Sequence, residues 1–203
     1  MTLPVVTTQH VCLTCSRLQH TCCTNGYQVP LTKSDVERIV ALGHPLASFA
    51  KAAEYLPEDL DEDEPEFTAS MAVVDGRYYR AGTQHDADGA CVFLKKGVGC
   101  TLGDKRPTIC KMYPFWADDD GSIHYNPEEL TFCHMARIGT SVDAGLAMLS
   151  ETPATIRAYT KAFDDDARAN AAWHRELARS LVPPRLVEEG QVARDEEQHA
   201  DQA

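Results

Sequence analysis

Eight cysteines hold most of the chemistry this sequence could do: Cys12, Cys15, Cys22, Cys23, Cys91, Cys100, Cys110 and Cys133. They fall into two groups. The first reads C-x2-C-x6-C-C, and the second is wider, centred on Cys91 to Cys110, with Cys133 outside the tight set. Two intervening residues let both sulfurs of Cys12 and Cys15 turn toward one ion, the spacing of a metal knuckle. Thiolates suit zinc, copper(I) and iron–sulfur centres and disfavour magnesium or calcium. Cys22 and Cys23 pose a separate problem, because adjacent residues in extended backbone point to opposite sides. They are expected to diverge, one joining Cys12 and Cys15 and the other meeting the second group. Alternatively, they grip different irons of one cluster. Eight cysteines divide as two sets of four or as one cluster plus spare thiols, and spacing leaves both open.

Other uses of the cysteines fit less well. A thioredoxin-like C-x2-C sits in a βαβ context, which is missing here. Residues 1–10 have neither a basic nor a long apolar segment, so no secretory signal is read there, and no apolar run reaches spanning length. The expectation is a cytoplasmic protein, with no membrane partner, whose thiols stay free unless a metal takes them. One cysteine often packs as an inert small hydrophobe, but that is a poor account of eight. Histidine could supplement sulfur. His20 lies inside the first group and His134 follows Cys133, so these two are the reserve ligands. His85 and His124 fall in predicted loops.

The elements that must position these residues are legible in local pattern. Residues 11–26 lack apolar periodicity and read as a loop wrapped around something. Residues 31–43 predict a helix, capped by Thr32 or Ser34, with Val36, Ile39, Val40 and Leu42 as its apolar face and Gly43 as terminator. His44-Pro45 predicts a second short helix over 46–55. Asp75-Gly76 between β-prone residues predicts a hairpin over 71–80 with a type I′ turn. A second hairpin is expected about Asp120-Gly121, joining Phe115-Trp116 to residues 123–125. Pro107 should open one helical turn over 106–110. Val142, Leu146 and Leu149 suit a helix, and Pro153 starts another. Its stripe of Ile156, Tyr159, Phe163, Ala167, Ala171, Trp173 and Leu177 reads as core or docking face rather than cofactor box. Pro183-Pro184 ends it.

Composition sets limits on partners. The chain has 203 residues, 43% of them hydrophobic, which is enough for a real core without help from disulfides. Its formal net charge is −12, so a nucleic-acid partner is not expected. The acidic run of Asp59, Asp61, Glu62, Asp63, Glu64 and Glu66 reads as solvated loop, as does Asp118 to Asp120. Residues 58–65 lack the converging spacing and sharp turn of a hard-cation site.

The ordered set Cys12-x2-Cys15-x6-Cys22-Cys23, Cys91-Val92-Phe93-Leu94, Gly99-Cys100-Thr101-Leu102 and Arg106-Pro107-x2-Cys110-x2-Tyr113-Pro114-Phe115 resembles the YkgJ-type cysteine-cluster family. That family is described as chelating zinc or iron. The likeness covers roughly residues 11–133, and the Leu31-Thr32-x2-Asp35 helix start also fits. The family's short label is C-x2-C-x2-C-C, whereas six residues here separate Cys15 from Cys22. A related domain occurs in a flagellin lysine methylase, where an iron–sulfur centre is implicated. The resemblance therefore implies a chelated iron–sulfur cluster of the 4Fe–4S type, or zinc, and allows an enzyme related to protein lysine methylation. No S-adenosylmethionine signature, Gly-rich phosphate loop or H-E-x-x-H accompanies it. A zinc-stabilised interaction module is the other reading, with the C-terminal helices contacting a protein partner. Arg106 could hydrogen-bond cluster sulfurs or carbonyls, or serve as a structural salt bridge. Tyr113 to Trp116 and Phe93 either shield the centre or are simply core aromatics.

The expected fold is α+β: a small, loop-rich cysteine-cluster domain over residues 1–140 with short hairpins and helices. A C-terminal helical extension follows over 141–187, then a polar, disordered tail over 188–203. If the thiols meet a reducing compartment, rapid alkylation of cellular protein followed by mass spectrometry should find no native disulfide. A stoichiometric Cys12–Cys15 disulfide would overturn the compartment argument.

Overall fold

The largest sheet grows from the Asp75-Gly76 turn. Both turn residues have positive φ, 52° and 73°, the pair of values a type I′ turn requires. They join β2 (Ala72–Val74) to β3 (Arg77–Thr83) in the predicted register, with Val74 opposite Arg77 and Ala72 opposite Tyr79. The other edge of β3 pairs with β1 (Ala50–Tyr55), so the sheet order is β1-β3-β2, all antiparallel. The structure is a computed structural model that describes residues 11–18, 21–57, 60, 65–128, 130 and 132–183. His20, most of the acidic run after Glu58 and the tail from Glu188 lie outside the described residues.

β1 corrects the helix expected over 46–55. Only Leu46–Ser48 forms a 3₁₀ turn, and Ala50–Tyr55 is extended. The segment A-K-A-A-E-Y has good helix formers, but a ladder from Ala50↔Thr83 to Tyr55↔Tyr78 outweighs that preference. Its alanines also suit close strand approach: a Cβ added at Gly82 would stand 3.0 Å from the Ala53 Cβ.

The helix predicted over 31–43 is α2 (Lys33–Ala41), after α1 (Val11–Cys15). Thr32 is its N-cap, in a capping box with Asp35, and Gly43 follows with φ 92°. Val36 and Ile39 are buried, whereas Val40 and Leu42 are exposed, so the apolar face is narrower than predicted. α1 replaces part of the expected loop. Ser16 fastens it by donating to the Leu13 carbonyl at 2.8 Å and accepting from the Gly97 amide at 3.1 Å.

Two small hairpins and short helices complete the region around the cysteines. α3 (Pro65–Ala69) precedes the sheet hairpin. β4 (Leu94–Lys95) pairs with β5 (Gly99–Cys100), and α4 (Thr108–Met112) begins after Pro107, as expected. β6 (Trp116–Ala117) and β7 (Ile123–His124) form the second predicted hairpin, and α5 (His134–Arg137) follows Cys133. The chain is thus α+β, with small antiparallel sheets and a helical C-terminal region.

α6 (Val142–Leu149) is capped by Ser141, and α7 (Pro153–Ala169) by Thr152. The long apolar stripe does not run through one helix: it breaks at Asn170, and α8 (Ala171–Leu181) takes a different surface. Leu146, Leu149, Ile156 and Phe163 share one core with Val11, Cys15, Met112 and Phe115. Trp173 and Leu177 pack instead on the cluster of Leu31, Ile39, Phe49 and Phe93. Polar pins fix the break. Asp166 accepts from the Lys33 amide at 3.1 Å and from Asn170 Nδ2 at 3.1 Å, and lies 2.6 Å from His174 Nε2. Arg80, fully buried, bonds Ser70 Oγ and sits 4.6 Å over the Phe67 ring and 5.5 Å from that of Phe163.

Asp35 ties these parts together. Its carboxylate is fully buried and accepts from the Thr32 amide, the Thr108 amide and hydroxyl, and Arg38. Asp35→Ala should therefore destabilise the fold by about 3–5 kcal/mol in urea unfolding, since it strands several buried donors and one guanidinium. Val40→Ala, at an exposed position of the same helix, should change stability by about 0.5 kcal/mol or less. Equal effects would refute a special role for the carboxylate.

Candidate metal centre

All eight cysteines line one cavity of about 80 Å3. Each arrives on a different local device. Cys12 and Cys15 stand three apart on α1, which places both sulfurs on one face. Cys91 and Cys100 flank the β4–β5 hairpin, Cys110 rides on α4, and Cys133 occupies the N-cap of α5. Gly99 is required beside them. Its φ is 99°, and a Cβ there would meet the Cys12 carbonyl at 3.4 Å.

Cys22 and Cys23 do not diverge as expected. A turn holds them: the Thr24 amide donates to the Thr21 carbonyl at 2.9 Å, and the Thr21 amide donates to Thr24 Oγ1 at 2.9 Å. This local bonding replaces the extended backbone on which the divergence argument depended, and the two sulfurs lie 3.8 Å apart. The next link joins the two groups directly, with the Cys91 amide donating to the Cys23 carbonyl at 2.8 Å. Cys23 shares the cavity with Cys12, Cys15, Cys91, Cys100 and Cys110, and its sulfur opposes charge on all five.

The residues around the sulfurs are sorted by the structure. Arg106 is buried, donates to the Cys110 carbonyl at 3.2 Å and lies 3.8 Å from Glu151. It therefore fills both roles considered for it, near the cysteines and in a structural ion pair. Tyr113 and Phe93 line the cavity, whereas Phe115 and Trp116 pack in the core behind it. His134 lines the cavity too. His124 lies on the exposed β6–β7 hairpin, 3.9 Å from Asp118. Sequence pattern missed Tyr27, whose ring stands 5.7 Å from that of Tyr113, and also Thr83, Phe132 and Met135. An aromatic four residues after Cys23 was the available signal for Tyr27.

Burial keeps these thiols protonated. It pushes Cys12 and Cys91 up to about 11 and Cys15 up to about 12. Cys23 rises further, first through its bond to Cys22 and then through burial. Burial also raises Cys100, Cys110 and Cys133. Arg106 pulls against this at Cys12 and Cys100, and Arg137 does so at Cys15 and Cys133. A metal cation supplies what two arginines cannot, and each thiol that binds it gives up a proton to become a thiolate.

Among the described residues no three His, Cys, Asp or Glu side chains converge tightly enough to hold one ion. The donor set is soft throughout, which fits thiophilic metals. A family model, CxxCxxCC, "Putative zinc- or iron-chelating domain", matches residues 11–134. The chain belongs to this family. No curated protein and no solved structure matches the chain. The CxxCxxCC span begins at the first residue of α1 and ends just past Cys133, so it takes in every cysteine. Its longer Cys15–Cys22 spacing leaves Cys22 and Cys23 on the same cavity as Cys12 and Cys15. No described helix is long and apolar enough to cross a membrane.

The raised thiols fix a pH dependence. Folded thiols hold their protons more tightly than unfolded ones, so deprotonation favours unfolding. Metal-free protein should keep its stability below the ordinary thiol value of 9 and lose it as pH rises through about 11 to 12. Metal-loaded protein, its ligands already deprotonated, should show a smaller loss over that window. Parallel melting curves of the two forms would check this, and identical slopes would show that the cysteines do not carry the effect.

Proposed function

We propose that the protein is a cytoplasmic carrier of an iron–sulfur cluster of the 4Fe–4S type, held by thiolates drawn from the eight cysteines. The observation that carries this reading is that all eight cysteines line one cavity, more thiols than a single ion takes. A zinc ion needs four ligands at about 2.3 Å from one centre, whereas a cluster takes ligands spaced around a body of several atoms. Such a cluster supplies one-electron transfer when bound. The zinc- or iron-chelating description of the family supports the metal and leaves its form to experiment.

The residues of this chain would act in distinct ways. Cys23, whose sulfur opposes charge on cysteines of both groups, is placed to be a ligand in any arrangement that uses both. Arg106 holds the Cys110 carbonyl and offsets negative charge at Cys12 and Cys100. Tyr113, Tyr27 and Phe93 exclude water from the sulfur-lined space, which protects sulfide and tunes potential.

Anaerobically purified protein should be brown, contain iron and acid-labile sulfide, and bleach with dithionite. Cys110→Ser or Cys91→Ser should remove most of the colour, because oxygen is too hard a ligand to hold such a centre well. Colourless protein with tightly bound zinc and no sulfide, from iron-replete anaerobic cells, would overturn the cluster and favour a zinc site.

A further inference from the structure

Thr83 stands where a hydroxyl has no structural reason to be. It is the last residue of β3, opposite Ala50, and its amide donates to the Val29 carbonyl at 3.0 Å. The next residue is equally fixed: the Gln84 amide donates to the Phe49 carbonyl at 2.7 Å, and the Gln84 carbonyl accepts from the Val92 amide at 3.1 Å. The side chain is 1% exposed and faces the cysteine cavity. Yet its Oγ1 has no hydrogen-bond partner among the described residues. A buried hydroxyl left in that state is destabilising, and valine would fit a strand equally well.

We infer that Thr83 donates a hydrogen bond to the Cys91 sulfur when that sulfur ligates metal, which makes Thr83 a positioning residue of the centre. The inference rests on the metal-binding reading of the cavity. The partner follows from placement. Cys91 lines the same cavity and is bridged by its backbone to His85, two residues beyond Thr83. A neutral thiol is a weak acceptor, whereas a metal-bound thiolate is a strong one. The buried hydroxyl therefore gains a strong acceptor when Cys91 ligates metal. Such a bond to a ligand sulfur stabilises its negative charge and orients it, and loss of partners of this kind weakens metal binding by about 10–100-fold.

The test compares wild type, Thr83→Val and Thr83→Ser as full chains, titrated anaerobically with cobalt(II) as the probe. Wild type should develop sulfur-to-cobalt charge-transfer absorption. Thr83→Val should bind about tenfold more weakly, with that band moved to lower energy, and Thr83→Ser should restore both. Metal-free Thr83→Val should melt no lower than wild type, since the hydroxyl it loses is unpaired in that state. A Thr83→Val protein with wild-type affinity and band position would overturn the inference and leave the metal site standing. If wild type itself gives no charge-transfer band, the metal site and the inference fall together. A lower melting temperature for metal-free Thr83→Val would assign the hydroxyl a purely structural role and overturn the inference as well.

Discussion

The carboxylate of Asp35 is the constraint on which the cysteine cavity depends. It carries charge in a place with no solvent exposure, so it must be surrounded by donors, and those donors come from three parts of the chain. The Thr32 amide closes the start of α2, the Thr108 amide and hydroxyl open α4, and Arg38 reaches from the next turn of α2. Arg38 then extends the network by donating to the carbonyls of Lys105 and Arg106 at 3.2 and 3.1 Å. The segment that carries Cys110 is thus held at its first residue by a charge-assisted bond, each such bond being worth about 1.5–3 kcal/mol. Arg106, kept in place by the same network, points its own guanidinium to the Cys110 carbonyl. A helix start far from the cysteines in sequence therefore decides where one of them stands.

This arrangement also gives a structural role to residues of the motif other than its cysteines. Leu31-Thr32-x2-Asp35 is a capping box whose acid serves two helices, and Arg106-Pro107 is the approach to the second of them. The cavity they build is poor in compensating charge. The fields of Arg106 and Arg137 oppose burial at Cys12, Cys15, Cys100 and Cys133, yet these thiols stay raised above their ordinary value. Binding metal replaces protons with a positive centre in the same volume, so loading and local stability are coupled through the sulfurs. The apolar walls strengthen that coupling, because a charge shielded from water feels its partners more strongly.

What was legible in the sequence was whatever depends on short range. The Asp75-Gly76 turn, the Thr32 cap, the Pro107 start and the second hairpin all follow from the conformational preferences of a few adjacent residues. The family was also legible, since it rests on an ordered set of residue types. Most of the failures involve distant partners. Residues 50–55 have helical propensity but become a strand because β3 has an open edge. The stripe from Ile156 to Leu177 has helical period throughout, yet half-buried bonds from Lys33 and Asn170 to Asp166 accompany its division between two packing surfaces. Cys22 and Cys23 were judged on extended backbone, and two threonines hold a turn there instead. Thr83 reaches the cavity only through packing that no local pattern encodes.

The helical region after Ser141 belongs to this argument because the site uses it. Leu149, the last residue of α6, forms part of the cavity wall, and Glu151 in the next loop faces Arg106. Thr160 on α7 accepts from the Ala117 amide at 3.1 Å, and its hydroxyl touches the Met112 sulfur at 3.8 Å. α7 thereby supports α4 from behind, and Ile156 and Phe163 join Cys15 and Cys133 in one core. Leu149, Glu151, Ile156, Thr160 and Phe163 all lie beyond the span that defines the family. The sulfurs supply the chemistry, but a wall of the cavity and a counter-charge for its main arginine come from the segment that follows. A site so divided responds to changes in α6 and α7 as well as in its cysteines, because the helices set the volume into which the sulfurs point.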